Sequence, residues 1–167
     1  PGGRADTYLL LARDITATVE KEERIRFEAH LNAALLDLQQ HDVLEDEATF
    51  LRRGVDHARS LTGSTLAGIH FVQDDQRTTT QAVCSGEATG CALAAEQAGL
   101  WARALHERRA VVLNSLEPAP QTGTAPGQDG LRRLISLPVV EGGKVRMLLG
   151  AAGKATDYGT PEVQALQ

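Results

Sequence analysis

Aromatic residues are scarce in this chain: one tryptophan, two tyrosines and three phenylalanines make up 4% of its 167 residues. Stacking platforms for single-stranded nucleic acid need more of them. Positive charge is not in excess either. Seventeen lysines and arginines stand against 22 acidic residues, a net charge of −5, which leaves no electrostatic footprint for nucleic acid or anionic lipid. Apolar runs stay as short as Tyr8-Leu9-Leu10-Leu11-Ala12, far from the roughly 18–20 residues of a membrane span. Only six prolines and a 42% hydrophobic content exclude a wholly disordered chain. Two cysteines, Cys84 and Cys91, are too few for a disulfide-rich secreted scaffold, and their spacing fits no common zinc pattern. No charged, apolar, small-residue leader is present. The chain opens Pro1-Gly2-Gly3 and stops at Ala165-Leu166-Gln167 inside a helix-like stretch. It reads as a piece of a longer cytoplasmic protein, with no metal and no cofactor expected.

What is present is an alternation of helical and extended patterns. Residues 7–13 read as a buried strand, followed by Asp14-Ile15-Thr16 and a charged helical segment. There Glu20 precedes Arg24 and Glu22 precedes Arg26 at the i,i+4 spacing that supports an exposed helix. Phe27, Leu31, Ala34 and Leu38 recur at intervals of four, three and four, a narrow seam of the coiled-coil kind. Heptad steps from Ile15 and Val19 reach Glu22 and Arg26 instead, so the seam shifts as at a stutter. The alternative is a surface helix packed on its own domain.

Asp42 with Glu45 offers a cap for a second helix, on which Leu51, Val55, Ala58 and Leu61 share one face and which Gly63 ends. Residues 67–72 and 78–84 read as strands around an Asp74-Asp75-Gln76 turn. A helix over 92–109 follows, with Leu93, Gln97, Leu100, Trp101, Ala104 and Leu105 on its buried face. After a short strand at 111–113, residues 115–130 are rich in proline, glycine and polar side chains and form a long loop. Residues 134–140 and 144–151 make the clearest hairpin, turning at Glu141-Gly142-Gly143, and Thr160-Pro161-Glu162 starts a last helix with threonine as its cap. Hairpins at both ends imply a mainly antiparallel α+β domain from about residue 42 onward.

Several segments in this order resemble a bacterial GAF domain. They are Leu61-Thr62-Gly63-Ser64, Ile69-His70-Phe71-Val72 with Asp75-Gln76, and Ala98-Gly99-Leu100-Trp101. Next come the stretch from Arg109 to Asn114, the stretch from Arg133 to Val139, and the stretch from Gly150 to Lys154 with Asp157-Tyr158. The resemblance runs from about Leu35 to the end, and residues 7–16 resemble the last strand of a PAS domain with its Asp-Ile-Thr exit. It implies a PAS strand remnant over 1–16, a signalling linker helix over 17–41 and a GAF domain over 42–167. The implied fold is an antiparallel five- or six-stranded sheet flanked by helices, with an N-terminal coiled-coil linker helix. Small ligands of the family sit on one face of the sheet, and flanking helices pair across a homodimer seam, here Phe27, Leu31, Ala34 and Leu38. The implied parent is a multidomain sensor with a histidine kinase (two-component) or diguanylate cyclase output, and this fragment is expected not to be an enzyme.

Departures from the pattern fall on its pocket. Cys84-Ser85 stands for a Trp-Ser pair, Ala92-Leu93-Ala94 for His-Tyr-Pro, Asn114-Ser115-Leu116 for Asn-Asp-Tyr, Gly127-Gln128 for Gly-His and Gly153-Lys154 for Asn-Lys. Asn114, Arg133 and Lys154 remain as the polar set. A ligand site needs an apolar cavity with a few convergent polar groups, and unpaired buried groups cost on the order of 1–3 kcal/mol each, so such a site tends to be lost as a whole. A ligand-binding domain and a ligand-free one acting in dimerisation and relay both stand at this point.

The candidate ligand residues are His70, Cys84, Trp101, Asn114, Arg133 and Lys154. Each has a plainer reading. His70 alternates with Ile69 and Phe71 and so faces the opposite side of its strand, where a structural histidine is the commoner case. Trp101 on a helix is more often core than platform. Arg108 and Arg109 complement a helix dipole, and Arg133 suits either an anionic ligand or a salt bridge to Glu117, Asp129 or Glu162. Cys84 and Cys91 flank one loop and raise the alternative of a free methionine sulfoxide reductase of the GAF type, which needs an activated and a resolving thiol. Neither cysteine is followed by the histidine of bilin-attaching GAF domains, and of the cyclic-nucleotide pattern only Lys154 and Glu162 match.

Overall fold

The computed structural model describes residues 3–41, 46–86, 98–115 and 132–167, and of residues 3–17, 20, 98 and 100 the backbone alone. The chain divides into two units between Gln39 and Gln40. The first is a helix, α1 (Gly3–His41), of 39 residues. Residues 7–13 lie inside it, so the strand expected there is helix, and the helix begins well before residue 17. A lone strand leaves its N–H and C=O groups without protein partners, whereas a helix satisfies them within the segment, and leucine, alanine and arginine are among its best formers. Glu22 and Arg26 pair at 3.7 Å. Along the second half, Phe27, Leu31 and Leu38 are half-buried and Ala34 is buried, while Ile25, Leu35 and Leu36 stand exposed. The expected seam is thus the less exposed side of α1.

The second unit is built on a sheet of five described strands in the order β2-β1-β5-β4-β3, every neighbouring pair antiparallel. Helix α2 (Glu47–Thr62) starts at Asp46, whose carboxylate accepts the Thr49 N–H at 3.0 Å. This cap satisfies one of the helix's first amides. Asp42 and Glu45, expected to cap, lie outside the described residues. Val55 and Ala58 are buried as the periodicity predicts, Leu51 and Leu61 are half-buried, and Gly63 closes the helix in the left-handed region.

Strands β1 (Leu66–Val72) and β2 (Thr79–Ser85) form the first hairpin. Its turn is fixed by Asp75, which accepts the N–H groups of Arg77 and Thr78, each at 2.8 Å. Gln76 reaches across to β5 (Lys144–Ala152), donating to the Val145 carbonyl and accepting the Val145 N–H, both at 2.9 Å. It supplies the rung that β1 is too short to make. Helix α3 (Ala98–Glu107) and strand β3 (Val111–Leu113) follow, the part of the helix expected over 92–97 lying outside the described residues. Strand β4 (Leu134–Glu141) pairs with β5 through Gly142 and Gly143, both at positive φ, as a two-residue hairpin turn requires. Helix α4 (Thr160–Ala165) closes the chain, with Gly159 rather than Thr160 at the cap position.

The sheet is covered on both faces. On one, α2 and the end of α4 pack over Ala67, Ile69, Val83, Ile135, Leu137 and Ala151, with Tyr158 and Leu166 in the same cluster. On the other, α3 packs through Trp101, Ala104 and Leu105 against Leu66, Val72, Val111, Leu134, Leu148 and Ala152. No helix among the described residues is long and apolar enough to cross a membrane.

Candidate functional site

The α3 face of the sheet is where His70 and Trp101 meet. Alternation along β1 sends Ile69 into the α2 cluster and His70 to the opposite face, as its position between Ile69 and Phe71 predicts. The imidazole and indole stack with centroids 5.8 Å apart and planes at 26°. Both side chains are buried, Trp101 at 1% exposure and His70 at 4%. Burial pushes the His70 pKa below the ordinary histidine value, favouring the neutral ring. Trp101 packs on Gly150: a Cβ there would overlap its Cε3 and Cζ3 atoms. The Ser136 hydroxyl donates to the Trp101 carbonyl at 3.2 Å and fastens α3 to β4. Trp101 is core, filling the centre of this face.

Cys84 sits on the same face, opposite Gly68, and is half-buried. It is disulfide-bonded and offers no free thiol. Cys91 lies outside the described residues, as do residues 92–94, 127–128, Glu117 and Asp129.

Asn114, Arg133 and Lys154 are brought together elsewhere, around the segment 157–162. Asn114 Nδ2 donates to the Tyr158 carbonyl at 3.0 Å and its Oδ1 accepts the Tyr158 N–H at 2.8 Å. Arg133 Nε donates to Asp157 at 2.8 Å, an acid not among those expected, of which Glu117 and Asp129 lie outside the described residues. Lys154 pairs with Glu162 and lies 5.8 Å from the centre of the Tyr158 ring. The second Glu162 oxygen accepts the Gly159 N–H at 2.8 Å. Burial opposes the charge of Glu162, but the Lys154 ammonium and the Gly159 amide outweigh it and hold the pKa below the usual value. The Tyr158 hydroxyl shares a 2.7 Å hydrogen bond with Ser64, which shares another of 2.7 Å with Thr62, and burial raises the Tyr158 pKa.

Reading the residues one by one missed Ser64, Ser136 and Tyr158 as parts of this arrangement and named Glu162 as a partner for Arg133, whereas it pairs with Lys154. A signal was present for Ser64, Ser136 and Tyr158, which lie in segments that carried the resemblance. Among the described residues no three histidine, cysteine or acidic side chains gather as metal ligands.

The sequence matches the GAF domain family over residues 45–167. The chain belongs to that family. The GAF fold is also what similar solved structures share. The GAF domain of a phosphoenolpyruvate-protein phosphotransferase from Coxiella burnetii superposes with a TM-score of 0.61 at 12% identity, covering 82% of this chain and 86% of its own. The free methionine-R-sulfoxide reductase of Neisseria meningitidis, solved with its substrate, gives 0.59 at 14% identity and covers 81% of each chain. The GAF domain of a Pseudomonas syringae pv. tomato protein named as a sensor histidine kinase gives 0.55 at 13% identity, covering 90% of this chain and 86% of that one. No curated protein matches. GAF membership accounts for the sheet order, with α3 covering one face. In this GAF domain the centre of that face is filled by Trp101.

Proposed function

We propose that this chain is a non-catalytic GAF relay module of a multidomain cytoplasmic sensor protein, passing a conformational signal between α1 and α4 without a small molecule on the sheet face. One observation carries the reading. The three polar residues left for a ligand, Asn114, Arg133 and Lys154, are committed to the 157–162 segment instead. A ligand recruiting them would have to replace four hydrogen bonds and ion pairs before gaining any, and binding pays only with the surplus. The packing of Trp101 on Gly150 supports the same reading.

In this proposal α1 is the input helix and pairs with its copy in a homodimer through Phe27, Leu31, Ala34 and Leu38. Residues 3–16, helical in α1, lead out of a preceding PAS domain. The output is a histidine kinase or a diguanylate cyclase. Any shift of helices is a population shift, so the input must favour one arrangement over the other. Native mass spectrometry before and after denaturation tests the reading. A dimer of unmodified mass is the expected result. A stoichiometric small molecule released on denaturation would overturn the ligand-free reading, and a monomer whose state is indifferent to Leu31→Asp would overturn the seam.

A further inference from the structure

Four strand ends stand in one row across the sheet. Leu66 of β1 pairs with Ala152 of β5, Ala152 with Leu134 of β4, and Leu134 with Leu113 of β3. One or two residues beyond each of these lies a side chain that reaches the 157–162 segment. Beyond β1, Ser64 holds the Tyr158 hydroxyl at 2.7 Å. Beyond β5, Lys154 holds Glu162. Before β4, Arg133 holds Asp157 at 2.8 Å, and after β3, Asn114 holds the Tyr158 peptide by both its groups. The gripped segment leads directly into α4. The row itself is what Trp101 packs on: Leu66, Leu134 and Ala152 form one buried cluster with it, and Leu113 is packed against that cluster. Tyr158 and Leu166 belong to the cluster on the other face.

We infer that this row is a coupling device: the packing of Trp101 on one face sets the spacing of four strand ends, and their side chains transmit it to the start of α4 on the other. Packed cores respond to a local shift as units rather than by continuous deformation. The contacts holding Tyr158 and Asp157 come from three different strands and the α2–β1 junction, so relative movement of neighbouring strand ends reorients the peptide that begins α4. The inference rests on the relay reading, but it concerns how the relay is built. Asn114, Arg133, Lys154 and Ser64 act in it as positioning residues.

Coupling is reciprocal, which gives the test two directions in the full chain. Trp101 is the only tryptophan, so its emission reports the α3 face alone. Arg133→Gln and Glu162→Gln, both made at the α4 side, are expected to raise acrylamide quenching of Trp101 about twofold or more. In the other direction, Trp101→Phe is expected to speed amide exchange over 157–166 by about tenfold, the scale of one or two net hydrogen bonds lost. Val72→Ala is the control, since it destabilises the α3 face in a separate cluster, and it should leave 157–166 unchanged at equal distance from the unfolding midpoint. Asp157 is 68% exposed, so Arg133→Gln removes its contact without a buried charge left behind. Unchanged quenching in both Gln variants, or exchange in Trp101→Phe no faster than in Val72→Ala, would overturn the inference. A bound molecule found by mass would overturn the ligand-free reading alone.

Discussion

Replacing Gly150 by alanine sets a methyl group into the indole of Trp101. The new Cβ overlaps Cε3 and Cζ3 of the ring and stands 2.9 Å from the Ile135 carbonyl on the neighbouring strand. Neither neighbour yields easily. The carbonyl belongs to a central strand, and the ring is 1% exposed and held between Leu66, Leu134, Ala152 and His70. If the core strains to accept the methyl, overpacking costs about 1–3 kcal/mol, occasionally more. If the indole swings into water instead, it forfeits an area of roughly 200 Å², about 5 kcal/mol at 25 cal/mol per Å². The cheaper route governs, so a loss of about 3 kcal/mol is expected. Urea unfolding followed by far-ultraviolet circular dichroism reads this as a midpoint lowered by about 2 M for a slope near 1.5 kcal/mol/M. In a Trp101→Leu background the two overlapping ring atoms are gone, and the same change should cost under about 1 kcal/mol, a clear departure from additivity. A Gly150→Ala protein within about 0.5 kcal/mol of the parent, or an equal cost in both backgrounds, would refute the placement of Trp101 on the sheet.

Three further expectations follow from individual contacts. His70 has a folded pKa below its ordinary 6.5 because it is buried, so the unfolded chain binds the extra proton first. Stability should therefore be full above pH 6.5 and fall as the pH drops through the folded value, and His70→Phe should remove that slope from thermal melts. Asp75 is held down to about 2 by the Thr78 hydroxyl and the two turn amides. Its contribution is present above the ordinary value of 3.8 and lost as pH falls toward 2, and an Asp75→Asn protein should show a shallower acid transition over that window. Asp46→Ala removes the cap of α2 and should cost about 1 kcal/mol in urea unfolding, with faster exchange confined to the first turn of that helix.

Both hairpins, the buried face of α2 and the Trp101, Ala104 and Leu105 side of α3 are legible in the sequence because each follows from a local period or a turn residue. The pairing of β1 with β5 is long-range and is not. Asp74-Asp75-Gln76 and Gly142-Gly143 set their turns, and β1 reads as a strand buried on both faces. Residues 7–13 mislead for a physical reason: a run of tyrosine, leucines and alanine has no period that separates a buried strand from a helix. In the structure they are helix, where each N–H and C=O finds its partner within the segment. The fate of the six candidate ligand residues is legible only in part. His70 and Trp101 fall on one face because strand alternation and helix phase are local. That Arg133 meets Asp157, and Asn114 the Tyr158 peptide, depends on four strand ends aligning, which no spacing along the chain encodes. Trp101 looks like a site residue by position and is buried in the core, while Cys84 is half-buried and disulfide-bonded.

The central claim is that the surviving polar residues serve the chain itself. Amide hydrogen exchange of Tyr158, followed by nuclear magnetic resonance in the parent and in Asn114→Ala, tests it most directly. The Tyr158 N–H donates to Asn114 at 2.8 Å, so it should be among the slowly exchanging amides of the parent and lose about tenfold in protection in the variant. A Tyr158 amide that exchanges at the rate of an open loop in the parent would contradict the account.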